Sequence, residues 1–403
     1  MSPTWLFATG NNIFGQLSGQ KADSLLERPQ LVARADESIH VLWAGWFDTL
    51  LRIDGRYELR GFTAGSAGVV CLCCPDSVQI VSGFGSTELV GVVGSDGEVY
   101  SVSPDDEQDD SSSIKNRQLR PEYDLSDAFD STICHICMTG NGLLSVLHDF
   151  GRVITVFESL SAFHANSANQ PTHIAKKEFH PHRIRRSFID IQAAESHFVA
   201  LDSFGYVWSW GAPNLHGELL QPNTSAESKS TLLTPRIVSA LEGISMMDIS
   251  TNGWLTACIS RDTKDIYLWG WMGTDGRRLI GLPMNINSGL AGIMDQFDED
   301  EHIIPKSIGV GCGFMALAVE NKETQSSEIY IAGESDVDRY RRSKPVHIEQ
   351  SDAEDETADE FIRLFGEYDH LSSSTGSANT GCTSPIVYCA PAATFVLISQ
   401  TPT

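Results

Sequence analysis

Basic residues are scarce in this chain. Its 403 residues include 28 Lys and Arg against 53 Asp and Glu, a formal net charge of −25. Nucleic-acid binding draws most of its affinity from Lys and Arg on phosphates, so this balance argues against a broad phosphate-binding surface. It favours solubility and a basic partner. Long apolar runs are missing as well. None approaches the roughly 18 residues that span a bilayer, and no membrane contact is expected. The opening MSPTWLFATG has neither a basic stretch nor a long apolar one, so no secretory leader is expected. Nine cysteines, with Cys71, Cys73 and Cys74 in one segment, read most simply as reduced thiols of an intracellular protein. On that reading the sequon Asn223-Thr224-Ser225 carries no meaning. Catalytic signatures are absent too: there is no Walker loop, no Gly-x-Gly-x-x-Gly after a strand, no His-Glu-x-x-His and no nucleophile elbow. No catalytic, cofactor-binding or metal-ligating residue is therefore assigned, no cofactor is expected, and the chain is read as a non-enzyme.

What the chain does have is one phrase written at least six times. The clearest copy is AAESHFVALDSFGYVWSWG, Ala193 to Gly211. Others run from Ala44 to Gly61, Ser82 to Val102, Thr139 to Val156, Thr251 to Gly270 and Gly311 to Gly333. In the clearest copy, His197 to Leu201 has the length and apolarity of a fully buried strand. Asp202-Ser203-Phe204-Gly205 follows, and Gly205 supplies the positive φ of a tight hairpin. Tyr206 to Trp210 then alternates aromatic and small residues, and Gly211 ends it. Each copy is thus a β-hairpin. The turn glycines Gly55, Gly97, Gly151 and Gly205 recur at intervals of roughly 40 to 60 residues. A hairpin takes about twenty residues of such a unit, and outer strands and loops take the rest, which describes a β-propeller blade. A solenoid would keep a shorter and stricter period.

A seventh copy is divided between the two ends. Cys389 to Ile398 matches the first half of the hairpin and Trp5 to Gly10 the second. Joining them completes a blade and removes the open sheet edges. The expectation is an all-β, seven-bladed propeller over residues 1–403, closed by pairing N- and C-terminal strands in one blade. Insertions read as disordered or looped fall near 104–130, 161–187, 221–232, 277–305 and 334–385.

The phrase resembles the repeat of the regulator of chromosome condensation (RCC) family. That signature runs from Gly-x-x-His through a buried strand, a turn Gly and an aromatic strand ending Trp-Gly to Asn-x-x-Gly-Gln-Leu-Gly. Its last part stands here as Gly10-Asn11-Asn12-Ile13-Phe14-Gly15-Gln16-Leu17 and, degraded, as Gly211 to Leu219. The signature His survives only as His197; Asp48, Ser86, Leu143, Leu255, Phe314 and Ala393 take its place elsewhere. The ending Trp269-Gly270-Trp271 looks most like small RCC-domain-only chromatin-associated proteins of eukaryotes. The resemblance implies an RCC-type propeller used as a binding platform. It also implies structural roles for Gly45, Gly55, Gly97, Gly151, His197, Gly205, Trp210, Gly211, Trp269, Gly270 and Gly333. Family members share a fold without sharing an activity, so function must be argued from the surface. The family's exchange factor docks on nucleosomes through a basic tail, and none is expected here, since Met1 to Thr4 carry no basic residue.

Candidate sites therefore sit in what interrupts the repeat. Acidic blocks at 105–110, 295–301 (with Asp298, Glu299, Asp300 and Glu301) and 352–360 could capture a basic partner such as a histone tail. Short basic clusters at Arg183, Arg185 and Arg186 and at Arg341 and Arg342 could touch an acidic one. Cys134-His135-Ile136-Cys137 has metal-ligand spacing, but a structural zinc needs four ligands, and a buried strand is the simpler reading. The expected function is a monomeric, non-catalytic protein-binding scaffold, nuclear or cytoplasmic, linked to a histone or chromatin factor. Alternatives are a guanine-nucleotide exchange factor for a Ran-like GTPase, or a recognition module in a ubiquitin-ligase or JmjC-type oxygenase complex. No direct nucleic-acid contact is expected.

Overall fold

The computed structural model describes residues 4–19, 25–64, 68–75, 78–102, 115–121, 132–167, 176–179, 186–212, 218–220, 232–271, 291–292, 303–323, 326–333, 362–363, 386–391 and 393–399. Those residues are nearly all β and form seven sheets. Sheet 1 holds Ile39–Ala44, Asp48–Ile53, Arg56–Gly61 and Val69–Cys73, with Lys115–Gln118 added in parallel at its edge. Sheet 2 holds Ile80–Gly85, Leu89–Gly94, Val99–Ser101 and Arg120–Pro121. Sheet 3 holds Ile133–Met138, Leu144–His148, Val153–Phe157 and Lys176–Phe179. Sheet 4 holds Phe188–Ala193, His197–Asp202, Val207–Gly211 and Leu232–Ile237. Sheet 5 holds Met246–Asn252, Trp254–Ser260, Ile266–Trp271 and Ala291–Gly292. Sheet 6 holds Ile303–Gly311, Phe314–Asn321, Ser326–Gly333 and Ile362–Arg363. Sheet 7 is built from both ends of the chain: Ile386–Ala390 and Ala393–Ser399, then Thr4–Asn11 and Leu25–Ala35. Thr4–Asn11 pairs antiparallel with Ala393–Ser399, in register from Thr4 opposite Ser399 to Gly10 opposite Ala393.

The continuous apolar runs follow from sheets covered on both faces. Every residue of His197–Asp202 is buried. Its Phe198 and Ala200 pack with sheet 3, while the alternate Val199 and Leu201 pack with sheet 5. The pattern is general. Seven hydrophobic clusters each combine two sheets: 1 with 2, 2 with 3, 3 with 4, 4 with 5, 5 with 6, 6 with 7, and 7 with 1. First strands of successive sheets also touch in series, and Ile386–Ala390 of sheet 7 touches Ile39–Ala44 of sheet 1.

The closing glycine of the phrase has a steric reason. Gly61 and Gly211 end third strands at φ 120° and 145°. A Cβ on Gly61 would lie 2.0 Å from the Phe47 carbonyl oxygen, and one on Gly211 would lie 2.6 Å from His197 Cα. No side chain fits either approach.

Two details depart from the sequence reading. Ser86 lies in the bend before Leu89–Gly94 rather than at the start of that strand, because a register shift between Phe84 and Gly85 moves the pairing on to Leu89. The stretches read as loop insertions also contribute regular structure. Lys115–Gln118, Arg120–Pro121, Lys176–Phe179, Ala291–Gly292 and Ile362–Arg363 are outer strands, and Leu160–Ser167 is a helix. The hydroxyl of Ser159 accepts from Ala162 N–H at 3.1 Å and caps that helix, which seats Phe163 edge-on against Phe157 at 5.5 Å.

Candidate binding cavity and its two ends

The repeat positions are scaffold. His197 is fully buried, and its Nε2 lies 3.0 Å from Thr256 Oγ1 and 3.1 Å from Thr251 Oγ1, tying sheet 4 to sheet 5. Burial pushes its imidazole down to about 3, so near pH 7 it is a neutral hydrogen-bonding link. Asp48 holds the same step in sheet 1. Its carboxylate accepts from Thr63 N–H at 2.8 Å, from the Thr63 hydroxyl at 2.5 Å and, across to sheet 2, from Leu89 N–H at 3.2 Å. Trp210 donates its indole N–H to Ser145 of sheet 3, and Trp269 donates to the Glu218 carbonyl, reaching from sheet 5 to a residue between the third and fourth strands of sheet 4. Gly45 N–H donates to the Asp48 carbonyl, while Gly55, Gly97, Gly151 and Gly205 take positive φ in hairpin turns. Gly333 ends its third strand opposite Phe314, and Gly270, opposite Leu255, stands one residue before the end of its own.

First strands of all seven sheets line one cavity of about 640 Å³. Trp43, Phe84, His135, Asp190, Asp248, Lys306 and Tyr388 represent sheets 1 to 7 in its wall. His135, Asp190, Asp248 and Lys306 lie toward the starts of those strands. Asp248 accepts from Ile308 N–H at 3.0 Å. Asp190 accepts from the Gln192 side-chain amide at 2.9 Å, and that amide also donates to the Ile249 carbonyl. Burial pushes the Asp248 carboxyl up to about 6; the Asp190 charge adds to the rise, and hydrogen bonds from Ile308 and Ser307 oppose it. Burial lowers His135, with the Asp190 charge acting the other way. Burial raises Tyr388, and Asp248 raises it further. Lys306 is engaged with Glu320 at 2.5 Å. Among the described residues, neither Asp190 nor Asp248 forms an ion pair with Lys or Arg.

The two ends of the cavity differ. At one end lie the loops joining first to second and third to fourth strands. Backbone hydrogen bonds link these loops from sheet to sheet: Phe47 N–H to the Thr87 carbonyl at 3.2 Å, Glu195 N–H to Gly253 at 2.9 Å, and Cys312 N–H to Pro391 at 2.8 Å. An aromatic group stands on this end. Phe14 meets Phe47 edge-on at 5.0 Å and Phe62 at 5.4 Å, and Ile13 and Phe62 are 54% and 50% exposed. Trp46, beside Phe47, reaches the cavity wall. Glu88 and Glu195 are exposed on the first-to-second-strand loops, which carry no Lys or Arg.

At the other end lie the hairpin turns and the loops between sheets. Arg186 is held there within the chain. Its guanidinium stacks on Tyr206 at 4.7 Å and Phe204 at 5.3 Å and pairs with Asp202 at 3.5 Å. It is a strut between turns rather than an open anion site. Arg183, Arg185, Arg341, Arg342, Asp298, Glu299, Asp300 and Glu301 lie outside the described residues. Cys137 is buried and donates its thiol to the Ile191 carbonyl at 3.2 Å, while Cys134 lies toward the Thr132 carbonyl. Among the described residues no group of three or more His, Cys, Asp or Glu is placed to hold a metal.

Two features escaped the sequence reading: the phenylalanine group and the acidic pair in the cavity. The pair did leave a trace. His135-Ile136, Asp190-Ile191, Asp248-Ile249 and Ser307-Ile308 are one polar–isoleucine step near the start of successive first strands. A polar residue repeated at one step of an otherwise apolar strand is a signal that those side chains converge.

No family model matches the chain. Human RCC1 domain-containing protein 1 is 38% identical over 81 residues, which are 20% of this chain and 20% of that protein. The Arabidopsis thaliana ultraviolet-B receptor UVR8 is 32% identical over 123 residues, 30% of this chain and 23% of the receptor. The matched segments thus span less than a quarter of these relatives. Among solved structures, Prp20p of Saccharomyces cerevisiae superposes with a TM-score of 0.59 at 14% identity, over 100% of this chain and 92% of that one; its structure is described together with its binding to Gsp1p and histones. Human WBSCR16 superposes with a TM-score of 0.58 at 13% identity over 98% of both chains. At such identities the likeness establishes a shared β-propeller fold.

Proposed function

This chain is a member of the RCC repeat family, and from that premise we propose that it is a non-catalytic platform that binds another protein. On this reading the seven sheets are seven blades of one closed ring. The seven two-sheet cores, the serial contacts of first strands and the joint sheet 7 support closure.

The observation that carries the platform reading is the Phe14–Phe47–Phe62 group. Phe14 packed edge-on against both Phe47 and Phe62, with Ile13 and Phe62 half exposed on an end whose backbone is laced from sheet to sheet, forms an apolar anchor point. Glu88 follows the Thr87 that bonds Phe47, and Glu195 is exposed on the same end, which favours a partner with apolar and basic residues. A histone or another basic chromatin protein meets that description, and a nuclear or cytoplasmic location follows from it. The test is fluorescence anisotropy of labelled histone H3–H4 with the purified full chain. Saturable binding is expected, weakened about 10-fold in Phe14→Ser/Phe62→Ser at unchanged melting temperature. No binding by the wild type at about 50 μM overturns the histone assignment.

A second reading, nucleotide exchange on a Ran-like GTPase, is favoured by the full-length likeness to Prp20p. Acceleration of labelled-GDP release by micromolar chain would replace the passive platform with this activity.

A further inference from the structure

The end of the cavity opposite the aromatic group is built by a repeated irregularity. First strands of sheets 1 to 6 carry register shifts between Val41 and Trp43, Ile80 and Ser82, Ile133 and His135, Phe188 and Asp190, Met246 and Asp248, and Pro305 and Ser307. A bulge re-aims the extra residue out of the ladder. The extra residue is apolar or a thiol in five sheets and Lys306 in the sixth; Ile386 begins the first strand of sheet 7. Three members are well exposed: Ile189 at 57%, Val81 at 49% and Ile386 at 43%. In the cavity wall, one residue inward from Ile189 and Met247, stand Asp190 and Asp248.

We propose that this end of the cavity receives a lysine or arginine side chain carried on an apolar segment of a partner protein. The cation sits between Asp190 and Asp248, and its apolar neighbours lie on the collar of Ile189, Val81 and Ile386.

Charge complementarity selects this occupant. Both carboxylates take hydrogen bonds from amides, yet neither is neutralised by Lys or Arg among the described residues, and the lining Lys306 is turned to Glu320. The His135 imidazole and the Tyr388 hydroxyl also line the cavity, with no hydrogen bond to any described residue. They are further partners for an ammonium or guanidinium group, His135 as a neutral acceptor. A free inorganic cation would leave the collar unused. An acidic or purely apolar segment would leave the carboxylates buried beside like charge or unpaired.

The groups that face Asp248 set the pH dependence: Asp190 from sheet 4, His135 from sheet 3, Lys306 and Ser307 from sheet 6, and Tyr388 from sheet 7. Below the titration of Asp248, near pH 6, one carboxylate is lost. Protonation of His135, which burial pushes below its ordinary range, would add an opposing charge. Affinity for a cation therefore rises with pH across this range.

The experiment selects a random heptapeptide phage library on the folded full chain, then titrates synthetic copies of enriched peptides by calorimetry. Enriched peptides are expected to share one Lys or Arg with apolar neighbours, and replacing it by norleucine should weaken binding at least about 10-fold. Asp190→Asn/Asp248→Asn should weaken binding by about the same factor. Ile386→Ser, at an exposed position that spares the fold, should weaken it about 3-fold, and the affinity of the wild type should rise from about pH 5 to pH 7. Enrichment of peptides without a basic residue, or equal binding by the double variant, overturns the proposal. Agmatine binding at this site while no peptide is enriched overturns the protein-segment assignment. Phe14→Ser/Phe62→Ser serves as a control expected to bind these peptides normally, so this proposal and the platform reading fail separately.

Discussion

Sheets 4 and 7 share one plan and differ in how they are assembled. Sheet 4 forms from a single stretch, Phe188 to Ile237, whereas sheet 7 joins residues from both ends of the chain. The register is nonetheless the same: Gly211 lies opposite His197 in sheet 4, and Gly10 lies opposite Ala393 in sheet 7. The polar fittings are not. Sheet 4 has His197 bridging to two threonines, and Asp202 accepting from the Trp208 indole at 3.0 Å and from two backbone N–H groups of its own turn. Sheet 7 has alanine at the signature step and packs Phe395 and Leu397 against sheet 1. The glycine and the apolar alternation therefore suffice to set register. The histidine adds a link between neighbouring sheets and is dispensable to the plan.

That contrast can be broken most severely from the non-local side. Deleting Tyr388 to Thr403 removes the strand Ala393–Ser399 that Thr4–Asn11 pairs with, and exposes the cores shared with sheets 1 and 6. Loss of cooperative thermal unfolding is expected in calorimetry. A truncated chain that melts as sharply and as hot as the full one would refute a joint sheet 7.

Asp48→Ala tests the signature step where a carboxylate holds it. It leaves the half-buried N–H of Thr63 and the buried N–H of Leu89 without an acceptor and should cost about 3 kcal/mol in urea unfolding. His197→Ala at neutral pH should cost less, about 2 kcal/mol, because it removes a neutral bridge and some packing. If His197→Ala were the worse of the two, the step would need an imidazole rather than any buried hydrogen-bonding group.

The smallest and sharpest test is the sign of two pH effects. His197 has a folded-state pKa depressed to about 3, so the unfolded chain binds the extra proton first. Its contribution is present above about pH 6.5 and is lost as pH falls, by about 2 kcal/mol between pH 6.5 and 5. Asp248 is raised to about 6, so the folded chain holds its proton longer. Its contribution is lost as pH rises from about 4 to 6, by up to about 2 kcal/mol. His197→Ala should flatten the first slope and Asp248→Asn the second, read as unfolding free energy against pH relative to the wild type.

The hairpins were plain in the sequence because strands covered on both faces leave continuous apolar runs, and tight turns leave glycine. The outer strands were not. Lys-Lys-Glu-Phe at 176–179 and Ala-Gly at 291–292 are short edge pieces without apolar alternation, and only a neighbouring strand makes them β. Ser86 was misplaced because a bulge shifts pairing without changing composition. The basic cluster at 183–186 was recognised, but the stacking of Arg186 on Phe204 and Tyr206 could not be read from charge alone.

The sequence by itself determined the hairpins, their turns and the division of one sheet between the two ends, since apolar alternation and turn conformation are short-range physics repeated along the chain. Tertiary structure alone decided where function can lie. Asp190, Asp248, His135 and Tyr388 are far apart along the chain, and each looks like one polar residue in an apolar strand. Only the packing of seven sheets against one another brings them to a common wall, where loss of water and neighbouring charge shift Asp248, His135 and Tyr388 as their own segments would not.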